Sequence, residues 1–346
     1  MPAARLVCPH DGRGDRILLD TLRACLQLVR PAQWVKNIFV FAAWGFSDKR
    51  YDFEAFLTSS RAFLAFSLLS GAVYAFNDLR DHREDRLHPT KRNRPVARGA
   101  VSPALAAILA VALTIAALAV SSRLPSGFML TAVTYLVLNL FYSLGAKRLV
   151  LLDVIIVALG FVLRALGGAQ ALDVEVSAWL IICTFTLCLF LGFGKRRGEL
   201  AMLDAPGEAA GHRATLASYT PDLLNQLLAV TGGIAVITFL LYTLDPHTAR
   251  TFRPMIFTTP LVFYAVFRYA MVIERGEHPG PTDVLINDRP FLVTAIIWLL
   301  LTVAILYRGR QIESWLPKLR WPGAALVEPG ASDIQPAGQR RPPASA

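Results

Sequence analysis

The residues best suited to chemistry gather in one run, Asn77-Asp78-Leu79-Arg80-Asp81-His82-Arg83-Glu84-Asp85, at the end of an apolar stretch. On a continuing helix Asn77, Asp81 and Asp85 recur every four residues and Asp78 stands three before Asp81, so the four share one face. Carboxylates this close repel one another unless a cation lies between them, which makes the face natural ground for a hard metal ion. Mg2+ suits it, because it takes oxygen ligands, keeps several waters and bridges one or two carboxylates to substrate phosphates. The plainer reading is a solvated loop of helix-capping acids with interleaved arginines. Against that stands the cost of keeping an acidic cluster against a membrane span.

Four further groups of polar residues follow. Pro89-Thr90-Lys91-Arg92-Asn93-Arg94-Pro95 is a rigidified basic segment whose Lys91 and Arg94 can reach back over a bound phosphate, a group that guanidinium fits by its fork geometry. Tyr142, Lys147 and Asp153 come next, then Arg164 inside the apolar run Gly160 to Gly168. A charge that deep costs at least ~2.5 kcal/mol unless it is paired or faces a cavity, so Arg164 is expected to point into the bundle, toward an acid or a phosphate. A structural ion pair is the competing reading. Gly194-Lys195-Arg196-Arg197-Gly198-Glu199-Leu200, with Ser218-Tyr219-Thr220 ahead of the next apolar run, reads either as a phosphate site with an orienting acid or as an orientation signal. Asp283 and Asp288, between Pro281 and Pro290, offer a weaker metal or ribose contact.

Membrane helices must position these residues. The chain has 346 residues, 54% hydrophobic and 17% charged, against about 25% charged in a typical soluble domain. Apolar segments fall at Val35 to Phe46, Ala62 to Phe76, Val101 to Val120, Phe128 to Leu144, Leu149 to Leu166, Ala178 to Phe193, Leu224 to Leu244, Met255 to Ile273 and Phe291 to Tyr307. Most approach the ~20 residues that a helix needs to cross a bilayer. The fold expected is therefore an all-α integral membrane bundle of about nine transmembrane helices. Its first segment is short and extends back through an interfacial or re-entrant piece containing Arg30, Pro31 and Lys36.

The net charge of +10 is not a nucleic-acid signature, because the basic residues sit in alternate short loops. Arg80 to Arg98, Lys147 and Arg148, Lys195 to Arg213, and Arg275 to Arg289 mark the cytoplasmic side; the intervening loops are poorer. The N-terminus is then inside and, after nine spans, the C-terminus outside, although Arg308, Arg310, Lys318 and Arg320 pull the other way. Cys8, Cys25, Cys183 and Cys188 show no ligand or disulfide spacing. The chain divides into an interfacial segment 1–27, a catalytic membrane domain 28–307 and a disordered tail 308–346 that is basic, then rich in Pro, Gly and Ala.

Together these residues resemble the UbiA family of intramembrane prenyltransferases, whose hallmark Asn-Asp-x-x-Asp-x-x-x-Asp matches Asn77, Asp78, Asp81 and Asp85, with Lys91, Arg94 and Pro95 behind it. Arg30-Pro31, Lys36-Asn37, Tyr142, Lys147 and Asp153 also stand at positions similar to the family's, and the likeness runs from about Leu28 to Tyr307. One departure is informative. Members that use prenyl diphosphates carry a second aspartate-rich motif after the sixth span, whereas this chain has Lys195, Arg196, Arg197 and Glu199. With Ser218-Tyr219-Thr220 and Asp283 to Arg289, that variant resembles the family's decaprenyl-phosphate phosphoribosyltransferase branch.

The resemblance implies a phosphoribosyl pyrophosphate donor, a polyprenyl phosphate acceptor, and Mg2+ on Asp78, Asp81 and Asp85. It also implies substrate contacts from Lys36, Asn77, Tyr142, Lys147, Asp153, Arg164 and Tyr219. Lys195, Arg196 and Arg197, with Lys91 and Arg94 in reserve, would hold the donor 5-phosphate or the acceptor phosphate, and Glu199 would orient a cation or a ribose hydroxyl. The expected setting is a bacterial plasma membrane with the site facing the cytoplasm, and a homo-oligomer is compatible with it. A prenyltransferase acting on an aromatic or haem acceptor, and a lipid or ion transporter, remain as alternatives.

Overall fold

The computed structural model describes residues 13–89, 91–202, 216–245, 253–278 and 280–315. Arg213 and the distal tail lie outside the described residues. Among those residues the chain is helical throughout, with no strand. The first helix, α1 (Arg13–Val29), is amphipathic. It buries Ala24 and Leu28 among Ala75, Val96, Val101 and Ala106, and exposes Leu19, Leu22 and Leu26 along its opposite flank.

After α1 the chain turns through Arg30, which is left-handed at φ 55, into a 3-10 segment, Pro31–Phe41, and a single turn, α2 (Ala42–Gly45). Eleven residues is long for a 3-10 helix, whose runs rarely exceed three or four. The form solves a length problem. At about 2.0 Å rise per residue the segment covers roughly 22 Å, and α2 adds about 6 Å, which together match the bilayer's hydrocarbon; as α-helix the same residues fall short. Arg30 indeed lies beside Asp78 at one end of the bundle, while Lys49 donates to the Leu172 carbonyl at the other.

The threefold period sorts the segment's side chains. Trp34, Asn37 and Val40 pack inward, Val35 and Ile38 are exposed apolar, and Lys36 stands on the third face with Phe39. Gly168 permits the close approach, because a Cβ there would strike the Val40 carbonyl.

Among the described residues eight helices are long and apolar enough to cross a membrane. They are α3 (Phe53–Asp85), α4 (Pro103–Ser121), α5 (Ser126–Leu144), α6 (Leu152–Leu172), α7 (Ala178–Ala201), α8 (Pro221–Leu244), α9 (Thr259–Glu274, with the 3-10 turn before it) and α11 (Arg289–Trp315). Eight agrees approximately with the about nine transmembrane helices expected from sequence, and the 3-10 segment lies where the ninth was expected. Capping is conventional: Ser102 and Thr220 accept from the Leu105 and Leu223 amides, each followed by proline at the first helical position.

Two lobes result. Phe66, Leu69, Phe128, Ala132 and Tyr135 form the core around α3, α4 and α5, and Phe190, Phe193, Leu224, Val266 and Tyr269 form that around α7, α8 and α9. Helix α6 packs on both α5 and α7 and joins them.

Candidate active site

Helix α3 continues through Asp85, so the acidic residues share a face as the spacing predicts. Asp78 and Asp85 are buried, and Asn77 and Asp81 are half-buried. Each acid meets a cation brought from elsewhere in the chain. Asp78 Oδ1 takes the Arg30 guanidinium at 2.6 Å and lies 3.2 Å from Arg94, which also donates to Asp85 at 2.9 Å. Lys147 bonds to Asp81 and reaches Asn77 Oδ1 at 3.4 Å. Arg30 is further held over the Tyr74 ring, 4.9 Å from its centre.

Local structure explains why these cations arrive. The left-handed turn at Arg30 breaks α1 from the 3-10 segment and aims the guanidinium at α3. The short 3-10 turn Lys91–Asn93 brings Arg94 back toward α3, with Lys91 half-buried one turn earlier. Lys147 lies in the turn Ala146–Arg148 after α5, whose last turn carries the half-buried Tyr142.

A second set of charged groups sits where α6 and α7 begin and end. Asp153, in the first turn of α6, is 0% exposed; Arg196, 6% exposed, places Nε 3.3 Å from its Oδ2, a charge contact not aligned as a hydrogen bond. Arg196 also bonds to Glu199, and Tyr219 Oη donates to Asp153 Oδ1 at 3.3 Å while accepting from the Leu151 amide at 2.8 Å. Burial pushes the Tyr219 phenol up to about 12, so it remains a donor at neutral pH.

The three adjacent cations of α7 therefore do not act as one. Arg196 is knotted inside the protein, Arg197 Nε donates to Asn225 at 3.0 Å, and Lys195, whose side chain is 53% exposed, lies 3.8 Å from Glu199.

Arg164 points into the bundle as expected, and of the acid or phosphate expected beside it no carboxylate is present among the described residues; its partners there are neutral groups. Its Nε donates to Asn37 Oδ1 at 2.7 Å, and its two terminal nitrogens to the Gly160 carbonyl and Tyr135 Oη, each at 2.8 Å. The Tyr135 and Phe161 rings lie 4.8 and 5.3 Å beneath it. Lys36, exposed on the 3-10 segment, feels the charges of Lys195, Arg164 and Arg30. It thus stands between the two lobes' basic groups.

Asp283, in the first turn of α10 (Pro281–Asn287), and Lys195 both lie beside Gly280. Asp288 is taken up elsewhere. It receives two hydrogen bonds from Arg268, at 3.1 and 2.7 Å, and caps the Phe291 amide, and these bonds hold its carboxyl below the usual range. Sequence reading passed over Arg268 and Tyr135, which carry no motif.

Among the described residues no three His, Cys, Asp or Glu side chains form a ready metal cluster. The donor set nonetheless suits Mg2+, being all oxygen, and Asp78 Oδ2 is buried without a hydrogen-bond partner among those residues. Arg30, Arg94 and Lys147 now neutralise the face that an ion would share.

This fold and site define a multi-span integral membrane protein, with carboxylates and cations concentrated at one end of a helical bundle. The chain belongs to the UbiA prenyltransferase family, whose model matches residues 38–285, and it is a transferase. It is 32% identical over 288 residues to a decaprenyl-phosphate phosphoribosyltransferase of Corynebacterium glutamicum, covering 82% of this chain and 86% of that one. It is 33% identical over 281 residues to the Mycobacterium tuberculosis protein of the same name, covering 79% and 91%. The fold is similar to that of a UbiA homolog from Archaeoglobus fulgidus bound to GPP and Mg2+, with TM-score 0.62 at 20% identity over 82% of this chain and 99% of that one.

Proposed function

We propose that the protein transfers the 5-phosphoribosyl group of phosphoribosyl pyrophosphate to a polyprenyl phosphate and releases diphosphate. The observation that carries this reading is the α7 segment. Where a second acidic motif would hold another metal, Asp153 is sealed under Arg196, Glu199 is bonded to the same arginine, and Lys195 stays half exposed 3.8 Å from Glu199. Lys36 and Lys195, without a second acidic cluster, suit a further phosphate, such as the donor's 5-phosphate. The two phosphoribosyltransferase relatives, matched over most of their length, support the same donor.

Asp78, Asp81 and Asp85 would hold Mg2+, which supplies Lewis-acid stabilisation of the charge developing on the departing diphosphate. Arg30, Arg94 and Lys147 exchange their carboxylate partners for diphosphate oxygens as the donor enters. Lys36 and Lys195 orient the other end of the donor. The C1–O bond to diphosphate breaks through an oxocarbenium-like state, and an oxygen of the lipid phosphate forms the new bond from the opposite face. That phosphate is already ionised near neutral pH, so no side chain need remove a proton, and positioning supplies much of the rate.

The catalytic unit is residues 28–307. Its site faces the cytoplasm of a bacterial plasma membrane, and its product is a pentose donor for cell-envelope polysaccharide. Purified protein incubated separately with labelled phosphoribosyl pyrophosphate plus polyprenyl phosphate, and with labelled prenyl diphosphate plus an aromatic acceptor, tests the reading. A lipid product heavier by one phosphoribosyl group is expected from the first mixture. A product from the second mixture alone would overturn it, as would the absence of any covalent product.

A further inference from the structure

We propose that Arg164 is a positioning residue for Lys36, acting through Asn37 and the unusual 3-10 segment rather than by touching substrate. Three observations converge on this assignment. First, Arg164 is buried and all its observed partners are neutral, so it is not held as an ion pair; its directed contacts are the hydrogen bonds to Asn37, Gly160 and Tyr135. Second, Asn37 is fully buried and ties the same knot to α3, donating to Ser67 Oγ at 3.0 Å and accepting from Ser70 Oγ at 3.4 Å. Ser70 in turn lies 3.2 Å from Tyr135 Oη. One asparagine on the 3-10 segment is thus fixed from α3 and α6 at once, with α5 braced behind.

Third, Asn37 is the immediate neighbour of Lys36. In a 3-10 helix consecutive residues point about 120° apart, so fixing Asn37 inward fixes Lys36 on an adjacent face. An α-helix over the same residues would step about 100° and drift off the threefold sorting within a turn or two. The 3-10 form has poorer hydrogen-bond geometry, so an outside constraint is needed to hold it. Arg164 supplies it: its planar fork can hold Asn37, Tyr135 and the Gly160 carbonyl together, which a single ammonium cannot reproduce.

Thiol labelling tests this without any substrate. Lys36→Cys and Lys195→Cys are placed singly in a protein whose Cys8, Cys25, Cys183 and Cys188 are replaced by alanine, and are reacted with an anionic methanethiosulfonate. Adding Arg164→Lys is expected to slow modification at position 36 by about tenfold and to leave position 195 within about twofold, since a thiol turned off its exposed face loses both access and the positive potential that draws the anionic reagent. Asn37→Ala should do the same, and Asn37→Asp, whose carboxylate still accepts from Arg164, should restore the rate. Unchanged labelling at 36, or parallel changes at 36 and 195, would overturn the proposal. Should Arg164→Lys not fold, Asn37→Ala and Tyr135→Phe carry the same test.

Kinetic readouts depend on the proposed transfer, whereas labelling does not, so the two can fail separately. In an active preparation Arg164→Lys should raise KM for phosphoribosyl pyrophosphate by roughly tenfold with little change in kcat. The same change made on Lys36→Met should add nothing further, because the two act as one unit. An additive loss would mean that Arg164 does not work through Lys36.

Discussion

Two places at the same end of the bundle pair aspartates with cations, and they differ in how the pairs are closed. On α3 the cations are partly open, with Arg30 and Arg94 27% and 23% exposed, and one Asp78 oxygen keeps no partner among the described residues. At the α6–α7 junction Asp153 and Arg196 are shut away, with Tyr219 over them. An open pair can trade partners when a ligand brings its own charges. A closed pair cannot do so without exposing a buried charge. The contrast teaches that sequence proximity of acid and base does not define a site; access to the pair does.

The sharpest way to break this contrast is Asp81→Asn, which removes an exchangeable carboxylate. Transfer activity should fall by about a thousandfold or more, the scale of losing a principal electrostatic group, while thermal unfolding in detergent stays unchanged. Persistent turnover would show that the α3 face is not the metal site. Asp153→Ala should do the reverse. It leaves buried Arg196 with Glu199 alone as a carboxylate partner among the described residues and takes the acceptor from Tyr219 Oη, at a cost of roughly 3 kcal/mol, seen as an unfolding midpoint lowered by several degrees. Replacing both partners, Asp153→Leu with Arg196→Met, should recover most of that loss.

Lys195→Ala should produce a middling effect and divide the α7 cations. KM for phosphoribosyl pyrophosphate should rise by about tenfold with stability intact, the scale of one charge-assisted hydrogen bond, whereas Arg197→Ala should leave KM nearly unchanged. Smallest is Tyr219→Phe, which should cost about 1 kcal/mol. Because the Tyr219 phenol titrates higher in the folded chain than unfolded, its contribution is full below about pH 10 and is lost as pH rises toward 12. Tyr219→Phe should therefore show a flatter stability profile between pH 10 and pH 12 than the parent chain.

The acidic face was legible because helix period and residue type agree there: Asn77, Asp81 and Asp85 align only if α3 continues, and it does. The membrane bundle, and approximately its number of helices, was legible from apolar length. The 3-10 form was not, since Val35 to Phe46 is merely a short apolar run, and the need for a longer rise appears only when both its ends are located. The run Lys195-Arg196-Arg197 stayed undivided for a physical reason. Consecutive residues on a helix point about 100° apart, so the three cations face different surroundings, and sequence could not divide them between the donor and acceptor phosphates. Which one turns inward depended on Asp153, 43 positions away, and on Tyr219, neither of which local spacing reports. Likewise Asp288 looked available until Arg268 was seen beside it.

The stretched 3-10 crossing has one more consequence. Relaxing its eleven residues to α-helix would shorten it by about 5–6 Å, several times the mismatch a bilayer absorbs without cost. Among the described residues the other crossings carry less such slack, the six-residue 3-10 turn Arg253–Thr258 ahead of α9 being the nearest to it, so acyl-chain length bears unequally on the bundle. A thin bilayer favours the compact form of this one strut and a thick bilayer its extended form. Under the role proposed for Lys36, membrane thickness would become a variable of substrate affinity.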